Sequence, residues 1–313
     1  MPRLIAYRIL QLPLILAVIY LVTFLLAWIA PGDPFSGERA VDPVVLETLR
    51  EKYNATSPWR FLASYPRRII TEGNFGPSMQ YKEWSVNDII RASLPVSIAL
   101  GVFALAIAVL VGVGVGTLAA VWRDGVLDWT SLSISLIGIS LPSFVTAALL
   151  LLFSSMPAMQ GIFAVGSWGR PSDVILPGLA LSLAPMAYIV RLTRASMLDV
   201  LGADFVRTAR AKGVSRSVVV WKHCLKNAFV PVLSYLGPAA AVTLTGSFVV
   251  EKVFNIPGLG QHFVNSVLNR DQTLILGVVM VYSMFLLVFN LLVDIAYALV
   301  DPRIDIAAKG GGA

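Results

Sequence analysis

Six stretches of this chain carry almost no charge. Ile9–Ala30 has 22 residues without a charged side chain, Leu94–Trp122 has 29, Trp129–Gly169 has 41, Val174–Val190 has 17 and Asn227–Val250 has 24. Gln272–Val300 has 29, with Asp294 as its one charge. A helix rises about 1.5 Å per residue, so roughly 20 apolar residues cross the hydrocarbon of a bilayer. Lipid offers the backbone no hydrogen-bond partners, so such spans are helices rather than open strands. Each run is read as one span, which predicts an all-α membrane protein with six transmembrane helices. Composition agrees: 57% of residues are hydrophobic and 13% charged, against about a quarter charged in soluble domains. A soluble enzyme, a disordered tail and a coiled coil all fit this composition poorly. The single cysteine, Cys224, allows no internal disulfide framework, and with His223 and His262 it cannot complete a usual structural zinc site.

The first run resembles a signal peptide only in following Arg3 and Arg8. Its apolar stretch is longer than the usual 7–15 residues, and Ala27-Trp28-Ile29-Ala30 before Pro31 is a poor small-residue cleavage site. It is read as an uncleaved first helix. Basic residues in short loops orient the rest. With the N-terminus cytoplasmic, residues 1–8, 123–128, 191–226 and 301–313 hold thirteen Lys and Arg. The outer loops 156–173 and 251–271 then hold only Arg170, Lys252 and Arg270. Residues 31–93 carry eight basic and eight acidic side chains, and loops that long translocate largely regardless of charge. Both termini are therefore expected inside. The net charge of +6 is a membrane asymmetry rather than a nucleic-acid footprint. The expected organisation is a tail and first helix over 1–30, an external segment over 31–93, a five-helix core over 94–300 and a cytoplasmic tail over 301–313.

The external segment is rich in aromatics, among them Tyr53, Trp59, Tyr65, Phe75, Tyr81 and Trp84. Linkers lack these. VDPVVLETLREKY predicts a short helix with Asp42 as N-cap, Pro43 at its first position and Val45, Leu49 and Tyr53 on one face. The alternative is a stub that only packs on helix ends. Inside, residues 191–226 hold eight basic residues against two acidic ones. Asp204 is placed to cap a helix and Gly213 to end it in the left-handed conformation, which leaves the two turns Phe205–Lys212. Phe205 and Ala209 lie one turn apart, and a second helix can begin at Ser215 or Ser217. A helix this short does not hold itself. It either has a partner or is a charged loop held at an anionic leaflet.

No G-x-x-x-x-G-K-[ST] occurs, so the chain has no ATP-phosphate cradle of that kind. Gly112, Gly114 and Gly116 sit within an uncharged span, and Gly112 with Gly116 reads as a close-packing pair. Pro142, Pro185 and Pro238 fall inside the third, fourth and fifth spans, where each can bend its helix around a path or serve packing alone. Ser140, Ser143, Thr146, Thr243, Thr245 and Ser247 offer a weakly polar route along them. Asp294 lies about two turns from the cytoplasmic end, within reach of water or of an arginine in 191–216, and is read as structural rather than as a proton carrier. His262 is read as a loop residue.

FVRTARAKGVS, NAFVPVLSYLGPA, TGSFVVEKVFNIPGLGQHFVNSVLNRD and NLLVDIAYALVDPRI resemble the membrane subunits of bacterial ATP-driven (ABC) peptide importers. APGDPFSGERAV and YKEWSVNDII are similar to the B-type permease of the oligopeptide/dipeptide branch. The resemblance runs in order over nearly the whole chain. It implies a type I ABC importer permease fold. The family's cytoplasmic E-A-A-x-x-x-G motif falls on Arg207-Thr208-Ala209 and Gly213, with the Glu and first Ala replaced. Asp204, Phe205, Arg207, Thr208, Ala209, Arg210, Lys212 and Gly213 would then form a coupling helix seated on an ATPase subunit. Ser140, Pro142, Ser143, Thr243, Thr245 and Ser247 are candidate pathway residues, and Glu251, Pro257, Gly258 and Gly260 a candidate outer-gate loop. The implied partners are a second permease subunit, two ATP-binding subunits and a periplasmic or lipid-anchored peptide-binding protein. ATP and Mg belong to the partners, and no cofactor or metal is expected on this chain. Dipeptide, nickel-complex or oligosaccharide cargo is the alternative within the family. An ion-coupled transporter or channel is the rival outside it, disfavoured by a single intramembrane acid and no visible repeat.

Overall fold

The structure is a computed structural model. It describes residues 2–31, 44, 47–48, 51, 53, 56–81, 83–157, 159, 163 and 168–300, without the side chains of 2–7, 242, 245–246 and 297–300. The main helices among the described residues are α1 (Pro2–Ile29), α2 (Pro58–Glu72), α3 (Val86–Val121), α4 (Val126–Ser140), α5 (Ser143–Ser154), α6 (Ile175–Leu201), α7 (Asp204–Ala211), α8 (Val230–Phe254), α9 (Leu259–Leu268) and α10 (Gln272–Val300). A helical run of Arg216–Val218, a π-helical turn Val219–Cys224 and Leu225–Ala228 joins α7 to α8. Among the described residues the one β-bridge pairs Pro77 with Ser85.

Among the described residues four helices are long and apolar enough to cross a membrane: Arg8–Ile29, Val86–Val121, Pro171–Leu201 and Gln272–Ala296. α4 and α5 meet the same test as a pair, bent by 105° at Leu141–Pro142. The apolar part of α8, Val230–Ala241, is shorter. Of Pro142, Pro185 and Pro238, only Pro142 breaks its helix. Pro185 and Pro238 lie within unbroken α6 and α8.

α3 begins two turns before the expected Leu94. Ser85 and Asp88 form a reciprocal capping box: the Asp88 N–H donates to Ser85 Oγ at 3.2 Å and the Ser85 N–H to Asp88 Oδ2 at 3.1 Å. α3 packs most extensively on α6. A Cβ on Gly112 would lie 2.8 Å from Ile189 Cγ2, and one on Gly116 would lie 2.6 Å from the Val190 carbonyl. The expected small-residue contact is therefore real, whereas Gly114 faces open space. Leu100, Ala104, Ala147, Leu181, Val250 and Phe254 join α3, α5, α6 and α8 in one core.

The helix expected over 43–53 falls on positions that, apart from Val44, Glu47, Thr48, Glu51 and Tyr53, lie outside the described residues, as do its cap Asp42 and its face residues Val45 and Leu49. Of the described positions, Val44, Glu47, Thr48 and Glu51 are helical. The external segment also contributes α2. Phe61 and Tyr65, one turn apart, are buried against Tyr20 and Phe24 of α1, with ring centroids about 6.1 Å apart. Tyr65 donates to the Thr273 carbonyl at 2.9 Å. Asp271, fully buried, ties the 77–81 loop to the start of α10. Its Oδ2 accepts from Ser78 Oγ and the Gln80 N–H, and its Oδ1 from the Leu274 N–H at 3.0 Å and Thr273 Oγ1 at 2.9 Å.

Candidate functional site

α7 is the exposed two-turn helix expected between Asp204 and Gly213, with one correction at its start. The N-cap is Ala203, and Asp204 is the first helical residue. Its carboxylate, almost fully exposed, lies 3.7 Å from Arg207 rather than on a backbone N–H. The end is as expected. Gly213 has φ +79°, its N–H donates to the Arg210 carbonyl at 2.9 Å, and the Val214 N–H reaches back to Ala209 at 3.2 Å. This pair of bonds is the Schellman arrangement, which needs the left-handed residue that glycine supplies without strain.

The apolar positions of α7 divide between two sides. Val206, 1% exposed, is buried with Met197, Val219, Val220, Cys224 and Ala228, and Ala209 and Val214 pack against that cluster. Phe205 faces away, 42% exposed. The expected Phe205–Ala209 face is therefore corrected: Ala209 docks the helix on its own bundle, and Phe205 stays free with Arg207, Thr208, Arg210 and Lys212. Val206, unremarked in the sequence, is the anchor. Its signal was its spacing from Ala209 and Val214, which only the turn at Gly213 brings together.

Two arginines brace this end. Arg194 of α6 holds buried Asp128 of α4 through both nitrogens of a fork, with Nη2 at 2.7 Å from Oδ2. That carboxylate also accepts from the Asp124 N–H at 3.0 Å. Arg216 donates to the last-turn carbonyl of α3, Val121, at 3.1 Å. Asp294 is paired, but not with an arginine of 191–216. Its Oδ2 lies 3.0 Å from Arg8 Nε. α1 and α10 pack side by side, so Arg8 reaches Asp294 directly.

At the other end, the α8–α9 turn is built around Glu251. This side chain is fully buried. Its Oε2 accepts from the N–H groups of Gly260 at 2.8 Å and Gln261 at 3.3 Å, and Ser97 Oγ of α3 accepts from Leu259 N–H at 2.8 Å. Three successive donors at the start of α9 are thus held by α3 and α8, where a negative group also favours the helix terminus. A Cβ on Gly258 would lie 2.5 Å from Glu251 Cδ, and one on Gly260 would lie 2.6 Å from Phe248 Cα, so the carboxylate at the first and the α8 backbone at the second leave no room for a side chain. Pro257 is exposed. His262 is not in a loop but on α9, edge-on to Tyr81 at 5.6 Å, and burial pushes its imidazole below the ordinary pKa.

The candidate pathway residues do not form one surface. Ser140 and Pro142 are exposed at the α4–α5 break and Ser143 is half-buried. Thr243 and Ser247 are buried and donate to Ala240 and Leu244 of their own helix. The side chain of Thr245 lies outside the described residues.

Residues 112–306 match the family described as binding-protein-dependent transport system inner membrane component. The chain belongs to that family. It is 41% identical over 293 residues to the dipeptide transport system permease protein DppB of Bacillus subtilis, covering 94% of each chain. It is also 41% identical to the oligopeptide transport system permease protein OppB of Haemophilus influenzae, covering 90% of this chain and 92% of that one. Against OppB of Escherichia coli K12 the identity is 40% over 298 residues, covering 92% and 94%. The expected resemblance to peptide-importer permeases is borne out, and the rival of an ion-coupled transporter or channel receives no support.

Proposed function

We propose that this chain forms the transmembrane path for oligopeptides in an ATP-driven importer. The observation that carries this reading is the similarity over nine-tenths of the chain to permeases named for oligopeptide and dipeptide transport. Dipeptide cargo is the second reading, favoured by the Bacillus subtilis relative.

On this reading α1, α3, the bent α4–α5 pair, α6, α8 and α10 are six spans of a type I permease. Both termini are cytoplasmic, 31–93 is external, and 94–300 is the permease core. The subunit pairs with a second, similar permease and two ATP-binding subunits that hold ATP and Mg. A periplasmic or lipid-anchored binding protein delivers peptide to the face carrying Glu251, Pro257, Gly258 and Gly260. α7 is the coupling helix. Phe205 enters an apolar pocket of the ATPase, and Arg207, Arg210 and Lys212 meet acidic groups around it. Closure of the ATPases on ATP draws the coupling helices together and opens the path outward, and hydrolysis resets it. Ser140, Pro142 and Ser143 border the path at the α4–α5 bend. Thr243 and Ser247 join it in a state with α8 repositioned.

Reconstitution of the assembled complex in proteoliposomes tests this. Peptide-loaded binding protein is expected to stimulate ATP hydrolysis and peptide accumulation together, and stimulation by a non-peptide ligand alone would overturn the cargo assignment. Cysteines at Ser57 and Ser215 test orientation. An impermeant maleimide is expected to label only the first in intact spheroplasts, because the second is cytoplasmic on this reading, and native Cys224, which is buried, adds no background.

A further inference from the structure

Most side chains exposed along the long apolar helices are hydrocarbon, as with Leu14, Val18 and Leu25 of α1. Where α4 exposes Thr130, Ser133 and Ser140, each hydroxyl donates to a carbonyl of its own helix. One patch departs from this pattern. Tyr188 of α6, 42% exposed, lies against Tyr235 of α8 with ring centroids 4.3 Å apart. Ser234, beside Tyr235, is exposed, its hydroxyl donating to the Val230 carbonyl of its own helix at 3.2 Å, so the departure lies in the phenols and in the amide that follows. One turn on, Gly237 admits Asn290 of α10: a Cβ on this glycine would lie 3.6 Å from Asn290 Cγ and closer still to Oδ1. Asn290 is itself exposed. At about 100° per residue, Tyr235 and Gly237 lie on either side of exposed Ser234 and Pro238, so two phenols and an amide from three helices border that strip of α8.

Pro238 adds a backbone acceptor. It has no N–H to return to the carbonyl four residues earlier, which is that of exposed Ser234. Polar side chains and a carbonyl of this kind find no partners in lipid, and membrane proteins keep such groups for protein contacts or water-filled cavities. The four side chains carry no formal charge. Along these helices the neighbouring charges are Arg191, one turn beyond Tyr188, Lys226, two turns before Ser234, and Asp294, one turn beyond Asn290 and neutralised by Arg8.

We propose that Tyr188, Ser234, Tyr235 and Asn290 border the water-filled path and bind the backbone of a peptide in transit. A peptide backbone alternates N–H and C=O groups. The Ser234 carbonyl and Asn290 Oδ1 accept from its N–H groups, while the two phenols and Asn290 Nδ2 donate to its carbonyls. The tyrosine faces accommodate side chains of varied chemistry, and the lack of a fixed charge within the patch leaves no site where one peptide type is trapped. This inference deepens the peptide-import reading and rests on it.

The test uses the full complex in proteoliposomes, with p-benzoylphenylalanine replacing Tyr188 or Tyr235 and, as a lipid-facing control, Leu14. These aromatic replacements preserve the ring contact. With a radiolabelled peptide, loaded binding protein and ATP, irradiation is expected to give ATP-dependent peptide adducts at 188 and 235, and lipid adducts alone at 14. The double variant Tyr188→Leu/Tyr235→Leu is expected to lose about tenfold in uptake rate, the scale of one or two hydrogen bonds. ATP hydrolysis stimulated by loaded binding protein is expected to persist, a separation that general misfolding would not produce. Adducts to lipid or to the second permease subunit alone, or undiminished uptake in the double variant, would overturn the proposal. A wild-type complex that imports no peptide would instead overturn the function on which it rests.

Discussion

Asp128 shows how much one side chain can decide at an element boundary. Its carboxylate is 2% exposed and meets the guanidinium of Arg194 across 66 positions of sequence. Removing one partner leaves the other charge buried and unpaired, which costs about 3 kcal/mol. Asp128→Ala is expected to lower the unfolding temperature of the detergent-solubilised subunit by several degrees, with Asp128→Leu/Arg194→Leu less affected than either single change. Equal effects from all three would exclude a paired role. The glycines of α3 offer a second contrast. Gly116→Ala pushes a methyl to 2.6 Å from the Val190 carbonyl and is expected to cost about 1–3 kcal/mol, whereas Gly114→Ala meets nothing and gains helix propensity. Thermal unfolding of the two variants side by side checks the difference. The Gly112–Gly116 spacing was legible in the sequence because it is local. The Asp128–Arg194 pair was not, because nothing about two ordinary charges 66 residues apart marks them as partners.

At the scale of elements, short helices take their position from what receives their ends. α9 has ten residues and no side-chain cap of its own, and its first donors are held by Glu251 and Ser97 from other helices. Glu251→Ala is expected to release the 255–261 turn. A cysteine at Gln261 should then react with an impermeant maleimide roughly tenfold faster, while Glu251→Gln, which keeps an acceptor oxygen, stays close to the parent rate. An unchanged rate in Glu251→Ala would remove the carboxylate from that role. In sequence the turn was visible from its Pro and Gly residues and was assigned to an outer gate. That Glu251 is enclosed by them was not visible, because the enclosure is made by Ser97 of α3 and Phe248 of α8 as well as by the turn itself. α7 shows the converse. Its length and Gly213 ending were readable from local chemistry, while the inward turn of Val206 and outward turn of Phe205 depended on where the bundle stands.

For the whole molecule the proposed lever carries the main expectation. Gly213→Pro removes the N–H that donates to Arg210 and conflicts with φ +79°. Phe205→Ala removes an exposed ring and touches no core. Both variants are expected to insert and assemble a stable subunit, because the buried surface of α3, α6, α8 and α10 is untouched. Peptide uptake should fall by tenfold or more and hydrolysis should cease to respond to loaded binding protein, with weaker co-purification of the ATP-binding subunits for Phe205→Ala. Normal stimulated hydrolysis in both would remove α7 from coupling and leave it a charged surface helix. Asp294 belongs to a different part of the assembly, where it ties α10 to α1 through Arg8. Asp294→Asn is expected to reduce abundance but retain ATP-driven uptake. Uptake that is lost at normal abundance, or that follows a proton gradient, would contradict this pairing role.

The sequence by itself determined the helical membrane class, the position of each apolar run, the family resemblance and the Gly213 end of α7. Each depends on composition, periodicity or chemistry within a few neighbouring residues. Tertiary structure alone decided that Pro142 breaks its helix while Pro185 and Pro238 do not, that Asp294 pairs with Arg8, and that α2 seats Phe61 and Tyr65 on α1. It also decided that Thr243 and Ser247 are buried while Tyr188 and Asn290 are exposed. In each case the local sequence permits more than one outcome. Bending, pairing and exposure are set by which helix lies alongside, and that neighbour is chosen by packing over the whole bundle.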